Sequence, residues 1–245
     1  MNKSLLILMA VTAGFGLVGM AIQKLEEDAF STPGGELKIF FVGHGSLFLT
    51  FGGKVVHVDP VGAEGDYARL PKADLILVTH EHYDHLDLEA VKDLCRAGTQ
   101  VVMSPACAGK LKDAIVMKNG ERRTVQGFDI EAVPAYNLVH KRPDGDPFHP
   151  KGQGNGYIIA VGGKRIYIGG DTEPVPEMSS LKDIDIAFLP MNLPYTMSPE
   201  MTAEAARTIR PKVLYPYHFG DTDTGRLVEL LKGEPGIEVR VRSMS

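Results

Sequence analysis

The densest chemistry in the chain is Thr79-His80-Glu81-His82-Tyr83-Asp84-His85-Leu86-Asp87, which places three imidazoles and a carboxylate within six residues. If the run before it is a strand, His80 and His82 point to the same side, because strand side chains alternate. A turn into a helix beginning near Leu86 then lets Asp84 and His85 point back into the same space. Unpaired histidines serve a core badly, and ordinary surface does not need this density. Imidazole with carboxylate and no thiolate suits Zn²⁺, and also Mn²⁺ or Fe²⁺. No other group competes as a nucleophile. No serine lies in a G-x-S-x-G arrangement, and neither Cys95 nor Cys107 has a neighbouring histidine.

The elements that must position these residues read as follows. Asp74–Thr79 is short and almost wholly apolar, as expected of a strand buried on both faces. Leu86–Ala97 reads as a helix closed by Gly98, followed by a strand at Gln100–Met103 and a short helix at Pro105–Asp113. Upstream, Leu37–Val42, Leu47–Phe51 and Val55–Val58 are strands, with a hairpin at Gly52-Gly53. His57, between Val56 and Val58, reads as structural. Downstream, Thr124–Ala135 is a hairpin around Gln126-Gly127, and Tyr157–Val161 pairs with Arg165–Ile168 across Gly162-Gly163. Ile184–Leu189 and Val213–Tyr215 are buried strands, while Ser198–Ile209 and Thr224–Leu231 are helices. The order implies two sheets sandwiched by outer helices, an α/β class. No sequence repeat is evident. Tyr136 to Asn155 is long, irregular and rich in Pro, Gly and Asp, which favours a functional loop.

The ordered motifs resemble the metallo-β-lactamase superfamily. H-x-H-x-D-H follows a buried strand, Ile166-Tyr167-Ile168-Gly169-Gly170-Asp171-Thr172 is similar to the family's strand ending in G-D-T, and Tyr215-Pro216-Tyr217-His218-Phe219-Gly220 is similar to its late histidine strand. The resemblance spans about Leu37 to Gly220 and implies a four-layer αβ/βα sandwich. It also implies two divalent ions, zinc first and Mn or Fe as alternatives. On this resemblance His80 and His82 hold the first ion with a third histidine, Asp84, His85 and His218 hold the second, and Asp171 bridges them. The third histidine is His149 or His140, with His149 favoured because Pro147 and Pro150 bracket it. Tyr136-Asn137, Phe148-His149-Pro150-Lys151, Gly154-Asn155-Gly156-Tyr157 and Pro194-Tyr195-Thr196-Met197 resemble a narrower branch. That branch is similar to the L-ascorbate-6-phosphate lactonase-like and N-acylphosphatidylethanolamine phospholipase D-like proteins.

The implied activity is hydrolysis of an ester, lactone or phosphodiester by a bridging hydroxide, with Asp84 orienting it and taking up a proton. β-Lactam cleavage fits less well, since the branch is a different one. Two other readings stay open, a metal-retaining envelope protein without turnover and a di-iron redox protein on the same ligands. His44, Asp59, Asn137, His140, Lys151 and Tyr195 are candidates for substrate contact or ligand support. Arg142 reads more simply as solvated rim.

Composition bounds the rest. The 245 residues carry a net charge of −5, with 26 Lys+Arg against 31 Asp+Glu, and no basic run exceeds Arg122-Arg123. That balance argues against nucleic acid as a partner and leaves a small-molecule substrate. Two cysteines cannot build a disulfide scaffold, although export would leave a Cys95–Cys107 bridge open. Leu5 to Ile22 contains no charged residue and follows Lys3, so residues 1–22 read as a signal peptide cleavable after Ala21, or as a membrane anchor. The enzyme is therefore expected to be exported (periplasmic or secreted) or membrane-attached. Residues 23–36 read as a linker and 37–245 as the catalytic domain.

Overall fold

Leu75–Val78 shows why the chain layers as it does. All four residues are buried, and Leu75 and Leu77 face a core between two sheets while Ile76 and Val78 pack outward beneath a helix. A strand covered on both faces has no polar side to display, which is why its sequence is continuously apolar.

A computed structural model describes residues 25–244, so the Leu5–Ile22 stretch lies outside the described residues. The first sheet holds seven strands in chain order: β1 (Glu26–Thr32), β2 (Gly35–Gly43), β3 (Ser46–Phe51), β4 (Lys54–Val58), β5 (Leu75–Val78), β6 (Gln100–Met103) and β7 (Ile115–Val116). The second holds β8 (Arg122–Val125), β9 (Phe128–Ala135), β10 (Gly154–Val161), β11 (Lys164–Ile168), β12 (Ile186–Pro190), β13 (Val213–Tyr217) and β14 (Glu238–Val239). Helix α1 (Leu88–Leu94) packs Ala90, Val91 and Leu94 on the outside of the first sheet. Helices α2 (Pro199–Ile209) and α3 (Thr224–Leu230) contribute Ala203, Ala206, Ile209 and Leu227 to the core of the second half. The result is the expected αβ/βα sandwich.

A repeat that the sequence hides is plain in the pairing. In each sheet the first four strands pair antiparallel and the last four parallel. β4 and β11 therefore occupy equivalent positions, as do β5 and β12, and β6 and β13.

Several boundaries differ from expectation. Residues 26–32 are not a linker but strand β1, paired with β2 from Glu26 opposite Phe41 to Thr32 opposite Gly35. Its acidic residues find partners far away in sequence. Asp28 accepts from Arg242 at 2.7 Å and Arg240 at 3.2 Å, and also binds the Tyr215 hydroxyl. Helix α1 is shorter than Leu86–Ala97. Asp87 caps it by accepting from the Glu89 amide, and Cys95 closes it. Pro105–Asp113 forms only a 3₁₀ turn at Pro105–Cys107, and Cys95 and Cys107 are free thiols.

His57 is structural, with its ring stacked on Phe48 and its Nε2 2.9 Å from the Pro71 carbonyl. Burial lowers its pKa from 6.5 to about 4. The folded value lies below the unfolded one, so the neutral ring's contribution is complete above pH 6.5 and lost as pH falls towards 4. That contribution is about 3 kcal/mol at most. In urea titrations across this window His57→Gln should lose stability with a shallower slope than the unmodified protein. Parallel pH profiles would refute the assignment.

Candidate metal centre

The strands of both sheets deliver their polar residues to one edge, at the carboxyl ends of the parallel strands. β4 runs into Asp59, β5 into Thr79 and His80, β11 towards Asp171, and β13 into His218, while His44 directly follows β2. Gly170 makes the turn to Asp171 possible. Its backbone is left-handed (φ +62), and a Cβ there would sit 2.7 Å from the Asn155 carbonyl oxygen.

Asp59, fully buried, organises the first turn of the site. It accepts from the Thr79 amide (2.7 Å), the Thr79 hydroxyl (2.6 Å) and His85 Nδ1 (2.8 Å). With its hydroxyl hydrogen committed to Asp59, Thr79 Oγ accepts from His80 Nδ1 at 3.0 Å. Both rings thus carry their hydrogen on Nδ1 and turn a free Nε2 lone pair inward. Asn137 does the same for His149, taking its Nδ1 hydrogen at 2.8 Å.

The inward atoms form two sets that share Asp171. In the first, His149 Nε2 lies 3.2 Å from His82 Nδ1 and 3.2 Å from Asp171 Oδ2, with His80 Nε2 3.8 Å from the same oxygen. In the second, His85 Nε2 lies 3.3 Å from Asp171 Oδ1, and His218 Nε2 lies 3.4 Å from Asp171 Oδ2 and 3.5 Å from Asp84 Oδ2. Bonds of about 2.0–2.1 Å from a tetrahedral ion put neighbouring donors about 3.3 Å apart, so these are ligand-to-ligand spacings.

The residues fit metal on a second count. Among the described residues, ten buried side-chain atoms lack a hydrogen-bond partner, and five of them are His80 Nε2, His85 Nε2, Asp171 Oδ1 and both nitrogens of His218. Each such atom costs about 1–3 kcal/mol if nothing answers it. Of these, the three Nε2 atoms converge on Asp171, and a cation answers several lone pairs at once.

Burial and the neighbouring charges set the protonation of each group. Burial works against ionising Asp171, but His218, His85 and His149 hold its carboxyl well below the usual range. Burial likewise opposes Asp84, and contacts with His218 and His44 keep it ionised. Burial, with the neighbouring His85 charge, pushes His80 well down. Burial and His149 lower His82. His85 moves the other way. Although burial opposes its protonation, Asp171 and Asp59 raise it.

The structure brings His80, His82, Asp84, His85, His149, Asp171 and His218 together. It does not bring His140, whose Nδ1 instead meets Glu173 at 2.6 Å. Lys151 does not reach the cleft either, because Glu177 holds its ammonium at 2.7 Å over the Tyr136 ring. Asn137 and Asp59 sit behind ligand histidines, and Tyr195 and Arg142 line the mouth. The cleft is about 570 Å³ and is also walled by His44, Glu64, Tyr83, Phe148 and Asn192.

Sequence reasoning missed Thr79 and Glu173. Glu173 is fully buried and accepts from the amides of Leu138 (2.7 Å), Val139 (2.6 Å) and His140 (2.8 Å) and from Asn137 Nδ2 (3.1 Å). It pins the long loop, so Asn137 can aim His149. Its position directly after the G-D-T string was the available signal. His149→Ala should reduce bound metal, whereas His140→Ala should leave metal content near that of the unmodified protein. Equal metal content in the two variants would defeat this placement.

Two mixed sheets faced by helices, with a histidine–aspartate cluster where their strands end, define a metal-dependent hydrolase of the metallo-β-lactamase fold. Residues 38–218 match the Beta-lactamase superfamily domain, and the chain belongs to that family. A UPF0173 metal-dependent hydrolase of Thermococcus kodakarensis is 32% identical over 197 residues, covering 75% of this chain and 84% of the relative. A protein from Parabacteroides distasonis, assigned as a metal-dependent hydrolase and known from a crystal structure, is 47% identical, with a TM-score of 0.86 over 91% of this chain and 100% of that one. The metallo hydrolase Igni18 of Ignicoccus hospitalis is 26% identical, with a TM-score of 0.67 over 82% and 92% of the two chains.

Proposed function

We propose that the enzyme uses two divalent ions, zinc by the donor set, to hydrolyse an ester, lactone or phosphodiester bond of a small molecule. The observation that carries this is a pair of donor clusters, one with His80, His82 and His149 and one with Asp84, His85 and His218, with Asp171 at 3.2 Å from His149, 3.3 Å from His85 and 3.4 Å from His218. When bound, such ions supply an acidified water and an electrophile for the substrate oxygen.

The chain's own residues do the remainder. Asp84 is part-exposed in the cleft and stays ionised, so its carboxylate can accept a hydrogen bond from the attacking water and orient it. Arg142 stands over the Phe148 ring and donates to the Phe148 carbonyl, with no carboxylate partner among the described residues. It offers a positive charge to an anionic substrate group. Phe148 and Tyr195, edge to face at 5.1 Å, give an apolar body a wall to lie against. Metal analysis coupled to a screen of lactones, phosphodiesters and aryl esters tests the reading. About two ions per chain and turnover of one class are expected; less than half an equivalent after gentle purification would sink the dinuclear centre.

We also propose that the enzyme sits at the cell envelope. The uncharged run Leu5–Ile22 is the support for this. Deleting residues 2–22 should leave the protein in the cytosolic fraction. An unchanged distribution would refute the placement.

A further inference from the structure

We propose that His44 is a direct ligand of the second ion, giving that ion five protein donors where the first has four. The inference rests on the dinuclear reading above. Two observations carry it.

First, His44 Nε2 approaches Asp84 Oδ2 at 3.4 Å, and His218 Nε2 approaches the same oxygen at 3.5 Å. A supporting hydrogen bond would run nearer 2.7–3.2 Å and would favour the carboxylate oxygen left free by the ion. Two imidazoles converging on one oxygen at nearly equal, longer distances have the spacing of donors around a shared centre. His44, Asp84, His85 and His218 each offer one donor atom, and all four atoms lie within 4.8 Å of one another.

Second, the backbone is built to hold the ring there. His44 is left-handed (φ 49), a conformation that costs a non-glycine residue energy and gathers at functional sites. Asp59 (φ 42) and His218 (φ 49) share it. The His218 amide donates to the His44 carbonyl at 3.0 Å, locking the two ligand-bearing turns together. Gly45 allows the approach, since a Cβ there would lie 2.8 Å from His85 Cε1.

With His44, Asp84, His85, His218 and Asp171 as donors, the second position is crowded for tetrahedral zinc and suits a five- or six-coordinate ion better than the first does. The two positions should therefore differ in metal preference.

The test is NMR of the full chain, labelled with ¹⁵N at histidine and reconstituted with ¹¹³Cd²⁺. One-bond cadmium–nitrogen coupling requires a coordinate bond, so a ring that merely hydrogen-bonds Asp84 shows none. Eight histidines are present, and His57 and His140 serve as internal negatives. Six coupled ring nitrogens are expected, and His44→Gln should remove one of the six. Five coupled nitrogens with two ions bound would overturn the proposal while leaving the dinuclear reading intact. Fewer than two bound ions would overturn both. Counting couplings in the unsubstituted protein decides the matter even if the variant does not fold.

Discussion

Asp171→Ala should reduce turnover by about 10³-fold or more, on the order of 4 kcal/mol of transition-state stabilisation, while the sandwich stays folded. Asp171 is the carboxylate that both donor sets use. One oxygen faces His85 at 3.3 Å, and the other faces His149 at 3.2 Å, His218 at 3.4 Å and His80 at 3.8 Å. Without it, each set loses an anionic donor at the same moment. The imidazoles that remain would crowd around divalent charge with only Asp84 nearby to offset it. Metal stoichiometry should fall with activity, and circular dichroism should not change, since the turn depends on Gly170 and not on the carboxylate. Turnover surviving in the variant would place the chemistry elsewhere in the molecule. A variant that kept both ions but lost activity would instead recast Asp171 as a group acting on substrate.

The parts of this site that could be read from sequence are those in which neighbours in sequence are neighbours in space. His80, His82, Asp84 and His85 are fixed by one strand end and one turn, so spacing and alternation suffice. Asp171 and His218 were reached through the strings around them, because each also follows a buried strand. The choice between His149 and His140 was different in kind. It depends on how the loop from Tyr136 folds, and that is set by Glu173 gathering the amides of residues 138–140. That gathering pulls His140 to the Glu173 carboxylate and leaves Asn137 facing His149. Nothing local to the loop encodes it. Strand β1 was hidden for a similar reason: Asp28 in isolation reads as solvated, and Arg240 and Arg242 arrive from the far end of the chain. The repeated topology left no trace because hydrogen-bond pairing repeats with many side-chain solutions.

Asp59→Asn should disable both metal positions although Asp59 faces neither. The substituted side chain would keep one oxygen for the Thr79 amide, but an NH₂ group would replace the oxygen that now accepts from the Thr79 hydroxyl and from His85 Nδ1. His85 could meet that NH₂ only by accepting at Nδ1, which moves its hydrogen to Nε2, the atom facing Asp171. Thr79 would accept from the new amide, and its hydroxyl hydrogen would then turn to His80 Nδ1. That forces the His80 hydrogen onto Nε2 as well. Two inward lone pairs would be lost through one oxygen-to-nitrogen exchange of nearly equal size. Loss of such supporting contacts typically weakens metal affinity about 10- to 100-fold, and here it acts on both ions. Thr79→Val separates the two branches. It removes the relay to His80 but leaves the bond from Asp59 to His85, so it should weaken the first position and spare the second. Competition with a graded chelator, read by metal content alone, distinguishes the cases. Unaltered affinity at both positions in the Asp59→Asn protein would show that the tautomers are set by the ions themselves and not by this carboxylate.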